Sequence, residues 1–233
     1  ACTARPMADK KPHYLGHRDR LRKRLASDAG GLADYELLEL VLFLAKPRGD
    51  VKPLAKDLLA HFNKDFAEVM NADPARLEEV SGVGESTIAA LKTVRAAALR
   101  LGQAQVLNRP ALSSWQALLE YCRSSMAYSR TERFRILFLD RKNFLIADEE
   151  QQKGTVDHTP VYPREVVKRA LELEASAIIM VHNHPSGDPT PSKADIAMTR
   201  EVAAAGEKLG ISLHDHVVIG KKGEASFKAL GLL

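Results

Sequence analysis

The chain has 233 residues, 45% of them hydrophobic and 27% charged, which is the composition of an ordinary globular protein. No apolar run approaches the roughly 20 residues that a membrane-spanning helix needs, and the polar N-terminus has no apolar signal-peptide core, so the sequence predicts neither a membrane protein nor a secreted one. Two distant cysteines, Cys2 and Cys122, indicate neither a disulfide framework nor a cysteine-rich zinc finger, which favours a cytoplasmic location.

Positive charge is concentrated at the N-terminus, although the whole chain carries a net charge of only +4. Residues 1–25 contain eight lysines and arginines against two aspartates. A basic arm of this kind suits nucleic acid or an acidic partner, but a solubilising tail has the same composition. We predict that residues 1–16 form a flexible basic leader, and the composition leaves both roles open.

A helical pattern begins at His17 and continues without any strand pattern, which predicts an all-α domain over residues 17–104. Its clearest element is the apolar helix 35–44, for which Asp34 is the predicted N-cap. The shorter helices predicted in this domain are 51–62, 65–70 and one that begins at Asp73-Pro74.

The Gly82-Val83-Gly84 turn lies between two amphipathic stretches, and the second stretch continues as a helix over residues 85–104. This pattern resembles a helix-hairpin-helix, in which glycines let backbone amides approach a phosphate. We predict sequence-independent DNA contact at Gly82, Gly84 and Lys92. The alternative is a hairpin that only packs its two helices together, and it is favoured by the acidic residues around the turn, Glu78, Glu79 and Glu85.

The pattern changes after residues 105–113, which form a predicted linker. Residues 114–233 mix short apolar strands with amphipathic helices, and this mixture predicts an α/β (α+β) sandwich. The predicted strands are 134–139, 144–147, 177–181 and 216–219, and the predicted helices are 114–127, 164–174 and 193–209.

A set of metal-ligand side chains follows the third predicted strand. His182 and His184 are alternate residues, so their imidazoles face the same side of that strand. A turn-rich loop then leads to Ser192 at a helix start, and Asp195 lies in the first helical turn. Two histidines and a carboxylate, with a position left for water, are a common catalytic zinc site. The alternative is that Ser192 and Asp195 only cap the helix.

The same residues resemble the JAMM motif of the JAB/MPN metalloprotease superfamily, which is His-x-His, seven residues, Ser, two residues and Asp. The similarity is closer to the RadC-like (UPF0758) family, of which the stretches 154–165 and 181–187 are typical. It covers nearly the whole chain, because that family also has an N-terminal helical part with a Gly-Val-Gly turn. The resemblance implies a JAB/MPN-type, cytidine deaminase-like α/β sandwich with a mixed sheet over residues 114–233.

The resemblance also implies roles for individual residues. His182, His184 and Asp195 match the ligands of a Zn²⁺ ion, and Ser192 matches a serine that helps to hold the oxyanion. The superfamily has an upstream glutamate that acts as general acid and base, and Glu132 fits that position best. The rival glutamates are Glu149, Glu150 and Glu165, and the candidates for orienting the metal ligands are His158, Asp215 and His216.

We therefore predict a zinc metallopeptidase or isopeptidase that acts on a protein or peptide substrate. The main alternative is a DNA-binding repair or recombination accessory protein whose metal centre is structural or silent. A third possibility is a scaffold whose JAMM-like domain binds a protein partner. Ligand type favours zinc over iron or manganese.

Overall fold

The computed structural model describes residues 13–111, 113–153 and 161–233. Most of the predicted basic leader lies outside these residues, as does His158, a predicted candidate for orienting the metal ligands. The chain divides into two compact units, residues 1–95 and 96–233. Within the described part of the chain, no helix has the length and apolar character needed to cross a bilayer.

The first unit is helical, as the 3.6-residue apolar pattern predicts. Its core is formed by fully buried apolar side chains, among them Leu38, Leu42, Leu58, Phe62 and Leu77. The described helices are α1 (His13–Ser27), α2 (Asp34–Ala45), α3 (Lys52–His61), α4 (Phe66–Asn71), α5 (Pro74–Glu78) and α6 (Glu85–Val106), and α6 continues into the second unit.

The start of α2 differs from the prediction. Asp34 is the first helical residue and not the N-cap, so the predicted cap is wrong by one position. The Glu36 carboxylate instead accepts a hydrogen bond from the Ala33 backbone amide at 3.0 Å. An acidic side chain at this position satisfies one of the free amides that every helix start exposes.

The second unit contains a five-stranded mixed sheet with the strand order β2-β1-β3-β4-β5. β1 pairs antiparallel with both β2 and β3, β3 and β4 are parallel, and β5 returns antiparallel to β4. Its elements are α7 (Trp115–Met126), β1 (Arg133–Leu139), β2 (Leu145–Lys153), α8 (Pro163–Glu172), β3 (Ala177–Asn183), α9 (Lys193–Glu207), β4 (Ser212–Gly220) and β5 (Gly223–Ser226).

Helices cover both faces of this sheet. One face packs against α7 through residues such as Leu118, Cys122 and Ile179. The other face packs against α8 and α9 through a second cluster that includes Phe138 and Met180. The predicted α/β sandwich with a mixed sheet is therefore confirmed, and its central strand β3 is buried along its whole length.

The predicted linker, residues 105–113, makes regular backbone contacts with the β1–β2 hairpin. The Asn108 amide donates to the Leu145 carbonyl at 2.9 Å, and the Ala111 amide donates to the Asn143 carbonyl at 2.8 Å. An isolated bridge also joins Pro110 to Phe144. This stretch thus belongs to the edge of the second unit, and the predicted domain boundaries as such stay predictions.

Candidate metal centre

Three side chains that the sequence singled out converge at the end of β3. The Nε2 atoms of His182 and His184 lie 3.0 Å apart. The Asp195 carboxylate approaches both, with Oδ1 at 3.4 Å from His182 Nε2 and Oδ2 at 3.4 Å from His184 Nε2. Ligand atoms arranged tetrahedrally around zinc at about 2.0–2.1 Å are themselves about 3.4 Å apart. The donor types and their spacing therefore fit a small divalent ion, and this cluster could hold one.

The local sequence explains why these residues meet. His182 is in β3 and is fully buried, whereas His184 follows the strand, with its amide bonded to the Ile219 carbonyl of β4 at 3.0 Å. The chain then turns and enters α9, where Ser192 is the N-cap and Asp195 is the third helical residue. The parallel crossover from β3 through α9 brings the first turn of the helix back to the strand end.

Ser192 and Asp195 cap the helix and face the site at the same time. The Asp195 amide donates to Ser192 Oγ at 3.1 Å, and the Ser192 amide donates to Asp195 Oδ2 at 2.7 Å. This reciprocal capping box fixes the carboxylate without using its other oxygen. The capping interpretation and the metal-ligand interpretation of this pair are thus compatible. The bond to the Asp195 amide uses Ser192 Oγ as an acceptor and leaves its O–H hydrogen for another partner.

The loop between His184 and Ser192 lies directly against the turn that joins β4 to β5. A Cβ atom on Gly220 would lie 2.4 Å from the Gly187 carbonyl oxygen, so the two backbones touch where only glycine fits. Gly187 itself has φ of +86°, a conformation that glycine adopts without strain. This contact holds the loop that supplies the Asp188 carbonyl to His184 Nδ1 at 2.8 Å. Because a carbonyl only accepts, His184 Nδ1 carries a hydrogen, and in the neutral ring Nε2 carries the lone pair.

His182 is held by a second set of contacts. Its Nδ1 lies 2.7 Å from Nε2 of His216, and His216 Nδ1 lies 2.6 Å from Thr199 Oγ1. The Thr199 hydroxyl also reaches the Asp195 carbonyl at 2.5 Å. The Phe134 ring lies parallel to the His182 ring, with an interplanar angle of 9°. His216, which the sequence named as an orienting candidate, is thus in contact with a predicted ligand.

Asp215, the other candidate in that pair, has a different role. Its carboxylate accepts hydrogen bonds from Ser226 Oγ at 2.5 Å and from the Lys228 amide at 3.0 Å. These contacts fasten the segment that begins with β5. We therefore assign Asp215 to the packing of this edge and not to the metal centre.

The electrostatic environment keeps the cluster ready for a cation. Burial alone would raise the pKa of Asp195, but its polar contacts with the imidazoles of His182 and His184 outweigh burial and hold that pKa far below its usual range. The hydrogen bond to Asp195 raises the pKa of His184. Burial holds the pKa of His216 well below its ordinary value.

Glu132 lies beside the cluster. Phe134 pairs with His182, and continuing this antiparallel register by two residues places Glu132 opposite His184. Its negative charge also contributes to the raised pKa of His184, after the larger effect of Asp195. Glu132 is therefore a carboxylate near the predicted metal ligands, directly before β1, as the resemblance implies.

The rival glutamates have other partners. Glu149 and Glu150 belong to β2, which β1 separates from β3. Glu149 is bound by Arg169 at 2.7 Å, and this pairing lowers its pKa. Glu165 is exposed on α8 and lies 3.1 Å from Arg164. These positions favour Glu132 as the proton-carrying glutamate.

Asn183, between the two histidines, is a further positioning residue that the sequence did not reveal. It is fully buried and faces the opposite side of the strand from His182. Its Oδ1 accepts from the Arg133 amide at 2.9 Å, and its Nδ2 donates to the carbonyls of Thr131 at 3.2 Å and Ser129 at 3.4 Å. These bonds fix the segment that carries Glu132. Strand alternation explains why Asn183 points away from His182, but its partners about 50 residues away have no sequence signal.

The predicted DNA-contact residues lie in the first unit. Gly82 has φ of +87°, and Gly82 and Gly84 are exposed at the turn before α6. Lys92, however, donates to the backbone carbonyls of Ala72 and Met70, and burial lowers its pKa. Its ammonium group closes the end of α4, and this orientation disfavours a phosphate contact at Lys92. DNA contact at Gly82, Gly84 and Lys92 stays a prediction.

Comparison with known proteins agrees with this arrangement. Residues 112–232 match the family model described as the RadC-like JAB domain. A UPF0758 protein of Rhodobacter capsulatus is 66% identical over 214 residues, covering 91% of this chain and all of the relative. A UPF0758 protein of Ruegeria pomeroyi is 59% identical over 224 residues, covering 95% of this chain and all of the relative. The chain therefore belongs to the RadC-like UPF0758 family and carries a JAB domain in its C-terminal half.

Proposed function

We propose that this protein is a zinc-dependent hydrolase that cleaves an amide or isopeptide bond in a protein or peptide. The observation that carries the proposal is the convergence of His182 Nε2, His184 Nε2 and the Asp195 carboxylate at 3.0–3.4 Å from one another. Two imidazoles and one carboxylate are a ligand set of hydrolytic zinc enzymes, and zinc is the ion that this mixture favours. When bound, the ion would supply Lewis acidity to a water molecule and to the substrate carbonyl.

Glu132 and Ser192 would supply the remaining chemistry. Glu132 would take a proton from the attacking water and deliver it to the leaving nitrogen. Its place opposite His184 in the extended β1–β3 register supports this role. Ser192 would donate its O–H hydrogen to the developing oxyanion, since its oxygen already accepts from the Asp195 amide at 3.1 Å. Membership of the JAB superfamily, which includes metalloproteases, supports the same class of reaction.

The proposal is tested by separating metal binding from hydrolysis. Zinc-loaded protein is incubated with a peptide mixture that includes lysine ε-amide linkages, and new amines are detected by mass spectrometry. We expect Glu132→Gln to keep stoichiometric zinc and to lose at least about 100-fold in cleavage, since a general base contributes typically 10²–10⁴-fold. Glu165→Gln, which changes an exposed glutamate of α8, is the matched control and should cleave as the wild type does. Equal cleavage by the Glu132→Gln variant would contradict the assigned role.

The alternative of a DNA-binding accessory protein rests on the exposed Gly82–Gly84 turn and on the basic surface of α1. Arg20, Arg22 and Lys23 are exposed there, although Arg22 lies 3.7 Å from Asp19. The inward orientation of Lys92 weakens this alternative. If it holds, affinity for duplex DNA falls steeply with salt and drops when Gly82 and Gly84 are both replaced by valine. Binding that ignores salt and these substitutions would remove it.

A further inference from the structure

We propose that Thr199 and His216 are positioning residues that set the proton arrangement of His182, so that its Nε2 atom presents a lone pair to a metal ion. The inference rests on the metal binding proposed above and extends it to two residues outside the JAMM pattern. It concerns which of two nitrogens carries a hydrogen, and not whether either ring gains or loses charge.

The contacts form a continuous chain between two of the three ligands. Thr199 lies one helical turn after Asp195 on α9, and its hydroxyl is 2.5 Å from the Asp195 carbonyl oxygen. The same hydroxyl is 2.6 Å from Nδ1 of His216, which extends from β4. His216 Nε2 is 2.7 Å from Nδ1 of His182. Thr199, His216 and His182 are each fully buried, so bulk water does not compete for these bonds.

Counting hydrogens along this chain assigns each donor. The Asp195 carbonyl can only accept, so it takes the single hydroxyl hydrogen of Thr199. Thr199 Oγ1 must then accept from His216 Nδ1, which carries the one N–H of that neutral ring. His216 Nε2 is therefore an acceptor, and His182 Nδ1 is its donor. The neutral His182 ring is left with its lone pair on Nε2, the atom that faces His184 and Asp195.

The surroundings of His216 favour its neutral form. Its ring stacks on Phe227 with centroids 4.5 Å apart and lies against Phe134 at 5.6 Å. A positive charge between two apolar rings and away from water is costly. With His216 neutral, only one other arrangement has the same number of hydrogens. In it, the Thr199 hydroxyl turns to His216, His216 Nε2 donates to His182, and the hydrogen on His182 Nε2 blocks the metal.

The Thr199 hydroxyl thus selects between the two arrangements through its bond to the Asp195 carbonyl. Replacing Thr199 with valine keeps the branched shape and removes the acceptor of the His216 Nδ1 hydrogen. A buried N–H without a partner is unfavourable, so His216 should adopt the other tautomer and reverse the whole chain. Serine at the same position keeps the hydroxyl and should preserve the metal-ready arrangement.

The experiment compares the wild type, Thr199→Val and Thr199→Ser in two measurements. Zinc affinity is measured by competition with a chromophoric chelator, and histidine tautomers are measured in metal-free protein by long-range ¹H–¹⁵N NMR. We expect Thr199→Val to bind zinc about 10–100-fold more weakly and Thr199→Ser to bind like the wild type. We expect the hydrogen of His182 on Nδ1 in the wild type and the serine variant, and on Nε2 in the valine variant. Thr93→Val, at an exposed threonine of α6, controls for the substitution itself.

Two results would overturn the inference. One is equal zinc affinity of the valine variant and the wild type, and the other is an Nε2 hydrogen on His182 of the metal-free wild type. The second measurement needs no variant, so it decides even if the valine variant does not fold. A wild type that binds no zinc but has the Nδ1 hydrogen on His182 would remove the proposed function and leave the proton arrangement standing.

Discussion

The sheet of the second unit carries a partly buried polar cluster on each face, and the two clusters differ in how their charges are balanced. Toward α7, Arg135 donates two hydrogen bonds of 2.8 Å to Asp148, and the Tyr121 hydroxyl lies 2.5 Å from the same carboxylate. Toward α9, His182, His184 and Asp195 meet instead. The first cluster contains its own cation, whereas the facing atoms of the second are all acceptors when both rings are neutral.

This difference distinguishes a cluster whose charges are balanced within the chain from one that could hold a metal ion. In the first cluster both carboxylate oxygens of Asp148 accept hydrogen bonds from side chains of the protein. Burial, together with the nearby negative charge of Asp148, raises the pKa of Cys122 to about 12. Such a network favours one arrangement of β1 and β2 and needs nothing from solution. In the second cluster the acceptors are held together by other bonds, those of the capping box, the Asp188 carbonyl and His216. Hydrogen-bond acceptor atoms that the protein fixes close to one another repel each other, and a bound cation relieves this repulsion.

The largest expected effect removes the carboxylate ligand. Asp195→Asn keeps an oxygen that can accept the Ser192 amide, so the capping box and the fold should remain. The neutral amide is a poor zinc ligand beside two imidazoles, and we expect stoichiometric zinc binding to be lost in equilibrium dialysis. Metal-free stability should change little at pH values above the raised pKa of His184, where the carboxylate no longer faces a protonated ring. Wild-type zinc content in this variant would contradict the assignment.

The opposite cluster should respond in stability and not in metal binding. The side chains of Arg135 and Asp148 are 15% and 0% exposed, so Arg135→Met leaves a buried carboxylate without its cation. We expect a loss of about 3–5 kcal/mol in the free energy of unfolding, measured with urea, at unchanged zinc affinity per folded molecule. Arg123→Met breaks a more exposed pair at 3.3 Å and is the matched control, with a loss of at most about 1 kcal/mol.

Asn183 lies between His182 and His184 but faces away from them, and its replacement should show a smaller effect on stability. Asn183→Ala leaves the Arg133 amide and two carbonyls without their partner, at a cost of about 1–3 kcal/mol in stability. Zinc affinity should be retained, because the side chain points away from the ligands. Cleavage should also fall, as we expect for Glu132→Gln, because the hydrogen bonds of Asn183 hold the segment that carries Glu132. Loss of zinc together with stability would contradict a role of Asn183 that is confined to the Glu132 segment.

The smallest effect is the pH dependence of zinc binding. The pKa of His184 is raised by Asp195 and further by Glu132, so the metal-free ring keeps a proton that zinc must displace. In metal-free protein, the raised pKa of His184 stabilises the folded state at pH values below the pKa that this residue has in the unfolded chain. That contribution is lost as the pH rises through the raised pKa of the folded state. Zinc affinity should run the other way, falling about tenfold per pH unit for each proton displaced as pH decreases through the raised pKa. Chelator competition between pH 5.5 and 8 measures it, and a flat profile would contradict the raised pKa.

The sequence predicted the parts of the molecule that depend on local spacing. Strand alternation put His182 and His184 on one side, and the helix start put Asp195 within reach. The resemblance then selected Glu132 among four glutamates. The order of helices and strands was also predicted, because apolar periodicity changes clearly between the two units.

Features that depend on distant partners were not predictable. β2 was expected to end at residue 147 but continues through Asp148 to Lys153, since Arg135 and Tyr121 neutralise a charge that disfavours a strand. β5 carries no apolar alternation, and it was missed. Hydrogen bonds join Thr199 to His216, Asn183 to Arg133 and Lys92 to Ala72, and the partners in each pair are far apart in the chain. No spacing of residue types in the sequence indicates these pairs. They follow only from the packed fold.

X-ray absorption at the zinc edge of the loaded wild-type protein can establish whether His182, His184 and Asp195 together hold one zinc ion. We expect one equivalent of zinc with two imidazole nitrogens and carboxylate oxygen in the first coordination shell, at about 2.0–2.2 Å. We also expect Asp195→Asn to lose this signal. Zinc bound without two imidazole ligands, or an unchanged spectrum in that variant, would rule out this site.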